Sequence, residues 1–180
     1  MSRRPRGPRP GIVAATLLTA ALALAGCSAG AVTQTDTIVS QADGARGQAG
    51  PLLLEDVAIE PGPAGAVPSG AEATIRGTII NDGPTTDRLV SVTTPYALNA
   101  RPEGVTTIPA NNAVRLVGDD AGPVGPADAA QGTGATARLT LTGVTQELRQ
   151  GPTYAVTFTF ERAGSVTIPV IVSGLGPPAG

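Results

Sequence analysis

Most of the side chains that perform chemistry in proteins are scarce in this 180-residue chain: there is no histidine, one cysteine (Cys27) and one methionine (Met1). All twelve basic residues are arginines. A serine or threonine nucleophile would therefore have neither of its usual bases, imidazole or lysine amine. Paired carboxylates could hydrolyse a glycoside without either, but two Phe, two Tyr and no Trp give no aromatic platform for a sugar. These residues imply no enzyme and no cofactor. A hard cation such as Ca²⁺ needs six to eight oxygens. Asp119, Asp120 and Asp128 lie close in sequence within "GDDAGPVGPAD", but the spacing fits no calcium loop, and solvated loop carboxylates are the plainer reading.

Cys27 gains its meaning from what precedes it. Arg3, Arg4, Arg6 and Arg9 form a basic start, and Gly11 to Leu24 is an apolar or small run. That run, about 14 residues long, is short of the ~20 needed to span a bilayer as a helix. Residues 1–26 thus read as an export signal. Leu24-Ala25-Gly26-Cys27 resembles the lipobox of bacterial lipoproteins, in which the thiol becomes a diacylglyceryl thioether and the signal is cut before it. Cys27 is then a lipid anchor, and two or more acyl chains hold a protein stably on a membrane. The expected location is the extracytoplasmic face of the cell membrane. Arg3-Arg4 hints at twin-arginine export, but Pro5 interrupts that pattern.

Without the signal, 8 Arg stand against 14 Asp plus Glu, a net charge of 8 − 14 = −6. An acidic chain with no basic run does not fit nucleic acid. The partners implied are the membrane, through Cys27, and an unidentified protein or small ligand. With a single cysteine, no intramolecular disulfide can brace the fold.

The elements that must carry any site read as strands. Residues 28–50 are small and polar and read as a flexible tether of roughly 25–30 Å. From residue 51 to 174 apolar residues alternate in short runs: 52–60, 71–80, 87–94, 113–117, 136–142, 153–161 and 165–172. In the first run Leu53, Val57 and Ile59 share a face, with Glu55 a misfit. Tyr154, Val156, Phe158 and Phe160 form the clearest apolar face, and Ala137, Leu139 and Leu141 form another. Residues 143–151 could make one helical turn at most. Period-two runs divided by turn residues predict an all-β fold, an antiparallel β-sandwich of about seven strands. Pro169 suits an edge or a bulge. Residues 61–70 and 118–134 are the long loops, and 175–180 is a Gly/Pro-rich tail.

The stretch "LTLTGVTQELRQGPTYAVTFTFERAGSVTIPVIV" (139–172) resembles the C-terminal half of the periplasmic copper chaperone family PCu(A)C. "TDRLVSVTTPYA" (86–97) and "TIPANNAVRLV" (107–117) resemble its "DRLV" strand and "IPA" turn. With the lipobox and leader, the chain is similar to LpqE-type actinobacterial lipoproteins. The resemblance implies a cupredoxin-like or immunoglobulin-like sandwich. It also implies where copper would sit: the family uses two His and two Met, one His-x-Met pair lying on the strand before the Gly turn. Soft ligands suit Cu(I). Here that strand carries Arg138 and Thr140, and a guanidinium has no lone pair to offer. The resemblance thus implies a copper-chaperone-like sandwich without the copper site, serving as a noncatalytic binding module. Metal handling through unconventional ligands and a structural wall-associated role are the alternatives.

Overall fold

A computed structural model describes residues 44–62, 64–126 and 134–174. The export signal, Cys27, residues 28–43 of the tether, Asp128 and the 175–180 tail lie outside the described residues. Within them run β1 (Ala45–Ala49), β2 (Leu52–Ile59), β3 (Ala66–Val67), β4 (Ala73–Asn81), β5 (Asp87–Thr93) and β6 (Ala97–Gly104). There follow β7 (Thr107–Ile108), β8 (Asn112–Leu116), β9 (Ala135–Val144), β10 (Leu148–Arg149), β11 (Thr153–Phe160) and β12 (Gly164–Val172). The one helical element among the described residues is a 3₁₀ turn, Asp119–Ala121.

The all-β expectation holds, and each of the seven expected runs is a strand. The sheet order is β6-β9-β8-β4-β2-β12-β11-β5-β7, with β1 added beside β2 and β3 paired to β10 in a separate ribbon. The sheet curls around one core with Phe158, Leu52, Leu54, Ile75 and Leu139 at its centre, all fully buried. β11 contributes Tyr154, Val156, Phe158 and Phe160 to it, as its alternation requires. Two pairings are parallel, β8 with β9 and β12 with β2, so the sheet is mixed rather than purely antiparallel. Long β4 makes this possible: its first half pairs β9 and its second half pairs β8.

The tether boundary also needs correction. Residues 45–49 are a strand, paired antiparallel to β2, with Ala45 and Ala49 buried. The folded domain therefore starts before residue 51. "ARGQA" carries no apolar signal because small size is what this position needs. A Cβ at Gly47 would overlap the Ile168 side chain of β12. β6 was likewise invisible in sequence: it is an edge strand with mostly exposed residues, and Asn and Pro favour such a run poorly.

β2 departs from simple alternation. Leu52 and Leu54 are buried, Leu53 only partly, and then Val57 and Ile59 are buried. A bulge between Glu55 and Ala58 shifts the register against β4, and Asp56 sits at φ 55°. The extra residue flips the parity. Glu55 is thus outside the core, and Leu53 is not the partner of Val57. Residues 148–149 form β10 and pair with β3 instead of making a helical turn. The Tyr154 hydroxyl accepts from the Arg149 N–H at 2.7 Å and lies 3.2 Å from the Arg149 carbonyl, fixing that corner. Pro169 lies where β12 pairs with β11 alone, before pairing with β2 begins at Ile171, which is the edge position expected.

Two buried polar residues lock the turns. Asn81 is fully buried; its Nδ2 donates to the Thr85 and Ile108 carbonyls (2.8 and 3.1 Å) and its Oδ1 accepts from Gly83. The Asp87 carboxylate accepts three backbone N–H groups, from Arg88, Arg162 and Ala163, at 2.7, 3.0 and 2.9 Å. This ties β5 to the β11–β12 turn.

Candidate functional site

Alternation along β4 sends Ala73 and Ile75 into the core, so Thr74 and Arg76 point outward. β4 pairs with β2 so that Ala58 faces Arg76 and Ile59 faces Ile75. One residue further, the Glu60 N–H donates to the Thr74 carbonyl at 2.8 Å, placing Glu60 on that same outward face. The 3₁₀ turn after β8 then brings Asp119 and Asp120 beside Glu60. The result is a cleft of about 730 Å³ whose lining includes Glu60, Glu72, Thr74, Arg76, Asp119 and Asp120. A second cleft of about 400 Å³, bounded by Arg115 and Asp56, shares Glu60, Arg76 and Asp120 with it. The lining is strongly acidic, with Arg76 the one basic residue of the larger cleft.

Glu60 is the most constrained of these carboxylates. Partial burial pushes its pKa above the ordinary value. The Asp119 backbone N–H opposes this, Asp120 and Asp119 add repulsion, and Arg76 pulls back. Its head packs against Gly118, where any Cβ would overlap the carboxylate. Thr74 lies beneath, only 3% exposed, and its hydroxyl has no hydrogen-bond partner.

Arg138 and Thr140 do share the outward face of β9, as the sequence implied. Arg138 pairs with neither Glu161 nor Asp87. Glu161 pairs with Arg88, and Asp87 is taken up by backbone N–H groups. Arg138 instead holds the segment after β8. Its Nη2 donates to the Gly118 and Gly122 carbonyls at 3.1 and 2.8 Å, and its Nε lies 3.4 Å from Asp119 Oδ1. Its side chain is only 18% exposed, so it acts as a strut for one wall of the cleft. Thr140 stands opposite Thr74 on β4 and Arg101 on β6. Asp119 and Asp120 are exposed, as expected of loop carboxylates, yet they rim the cleft. Among the described residues no three His, Cys, Asp or Glu side chains converge closely enough to hold a metal ion.

The sequence reading missed Glu60, Glu72, Thr74 and Arg76 as a group. Their one local signal is the outward parity of β4; the rest of the cleft is assembled from segments as far apart in sequence as Glu60, the Asp119–Ala121 turn and Gly174.

Comparison with known proteins places this framework. The LpqE-like family model matches residues 52–172. The chain belongs to the LpqE-like family. The LpqE lipoprotein of Mycobacterium leprae (strain TN) is 33% identical over 157 residues, covering 86% of this chain and 84% of the relative. That of Mycobacterium tuberculosis (strain ATCC 25618 / H37Rv) is 30% identical over 170 residues, covering 91% and 90%. Among solved structures, the apo PCuAC domain from PmoF1 aligns with a TM-score of 0.56 at 21% identity, over 72% of this chain and 99% of that domain. The copper-bound PCuAC domain from PmoF2 gives 0.54 at 18%, over 72% and 98%. Those two likenesses establish a shared cupredoxin-like β fold. The LpqE-like match begins at Leu52, so β1 belongs to the fold of this chain but precedes the matched region.

Proposed function

We propose that this LpqE-like protein is a lipid-anchored envelope protein, held through Cys27 on the outer face of the cell membrane. In this reading its sandwich is a noncatalytic binding module that has lost the copper site of the related chaperones. The observation that carries the reading is the use made of Arg138. At the position where the resemblance expects a soft ligand, a guanidinium donates to two loop carbonyls and faces Asp119. A permanently charged strut there repels a cuprous ion instead of binding it. The absence of histidine, and of methionine beyond Met1, agrees with this. The lipoprotein name shared by the relatives supports the anchor. The acidic cleft beside Arg138 is the binding surface, of a volume suited to a small molecule.

Two measurements test the proposal. Residues 28–180, titrated with Cu(I) against a colorimetric chelator with Cu(II) and Zn²⁺ controls, should leave the chelator's copper untouched. One-to-one binding at sub-micromolar affinity would overturn the loss of the copper site. In cells, Cys27→Ser should abolish incorporation of labelled fatty acid and leave the signal uncut; a variant that still takes up the label would overturn the anchor.

A further inference from the structure

We propose that the cleft between β2, β4 and the Asp119–Ala121 turn binds a small organic amine, its ammonium groups held among Glu60, Glu72 and Asp120 and its polar chain reaching Thr74. The inference rests on the binding-module reading and names the class of ligand. Three observations carry it.

First, charge: four carboxylates line the larger cleft against one arginine, a formal balance of −4 + 1 = −3. Of the four, Asp119 is engaged by Arg138 at 3.4 Å, while Glu60, Glu72 and Asp120 have no ion pair among the described residues. Second, Thr74 is nine-tenths buried on the outward face of β4, beneath that lining, and its Oγ1 lacks a partner. A buried hydroxyl left without a protein partner is destabilising. A ligand donor that enters beside Glu60, its neighbour across the ladder, supplies one. Third, the carboxylates are spread along the cleft and do not converge. A Ca²⁺ or Mg²⁺ ion needs oxygens gathered at about 2.0–2.6 Å, and no such cluster exists among the described residues. A molecule with charges several bonds apart fits that spread, and about 730 Å³ accommodates it. Partial burial raises the pKa of Glu60, and the charges of Asp120 and Asp119 add to it, so a cation entering beside it is favoured.

Spermidine serves as the probe, titrated calorimetrically into the full chain in uncharged detergent at low salt. One saturable site with submillimolar affinity is expected. Glu60→Gln and Glu72→Gln should each weaken it at least tenfold, whereas Glu147→Gln, whose carboxylate pairs with Arg149 away from the cleft, should leave it unchanged. Thr74→Val should weaken binding about two- to tenfold, the range for one lost hydrogen bond, without lowering the urea midpoint. A purely structural Thr74 would not separate those two readouts. Failure to saturate, equal affinity in Glu60→Gln and Glu72→Gln, or full competition by equimolar Mg²⁺ would each overturn the inference. The copper result stands apart: flat titrations with both spermidine and Cu(I) would sink the amine and leave the copperless module intact.

Discussion

Asp87 offers the sharpest test of how this sandwich is held together. Its side chain is buried, and its Oδ1 accepts from the Arg88 and Arg162 N–H groups while Oδ2 accepts from Ala163. Desolvation alone would raise its pKa. The three N–H groups, with Arg162 nearby, outweigh that and hold the carboxyl below its ordinary range. In Asp87→Asn the amide oxygen can keep two of the bonds. The new NH₂ must then face the Ala163 N–H, donor against donor, and the charge is gone. Hydrogen bonds to a charged group contribute about 1.5–3 kcal/mol each, so the substitution should cost about 2 kcal/mol near neutrality. At a urea m-value of about 2 kcal/mol/M this moves the midpoint down by about 1 M. The pH dependence gives an independent check. A folded-state pKa below the unfolded 3.8 contributes stability that is fully present above 3.8 and is lost as pH falls through the folded value. Asn cannot titrate, so the gap between the two proteins should be constant from pH 5 to 7 and close in acid. Urea melts of residues 28–180 at pH 7, 5 and 3 measure both effects. A gap that stays the same at pH 3, or a midpoint shift under about 0.3 M at pH 7, would refute the reasoning.

Other perturbations probe the cleft and the ends of the fold. Glu60 has a raised folded pKa, so its proton-bound form is favoured in the fold and that stability is lost as pH rises through the folded value. Glu60→Gln should therefore melt at a higher temperature than the parent near neutrality, the difference closing below pH 4.5; no difference at pH 7 would contradict the partial burial of its charge. Arg138→Ala removes two hydrogen bonds to the Gly118 and Gly122 carbonyls, and amide exchange at Val117, Ala121 and Thr136 should quicken about tenfold. Unchanged protection there would show that the wall stands without its strut. Deleting residues 44–50 strips β1 from β2, losing four cross-strand positions and two buried alanines. At about 1 kcal/mol per backbone bond the loss should be about 3 kcal/mol by urea unfolding, and an unchanged midpoint would return those residues to the tether.

Sequence alone determined the strands whose apolar residues alternate cleanly. β11 and β9 each present one buried face, and period-two burial is a local property that pairing does not alter. It also determined what the chain lacks, since imidazole, and thioether beyond Met1, cannot be supplied by folding. Tertiary structure decided the rest. β1 is a strand because its small residues fit against β12, a requirement that only the neighbouring strand imposes. The bulge at Asp56 split the expected inward set of β2, keeping Val57 and Ile59 inside but putting Leu52 and Leu54 there in place of Leu53, because one extra residue changes parity. The cleft shows this most fully. Glu60, Thr74 and Asp119 are ordinary polar residues of strand ends and a turn until β2 pairs with β4 and Arg138 draws the turn beside them. Their chemistry is a matter of proximity, and proximity between distant segments is what the register of a sheet decides.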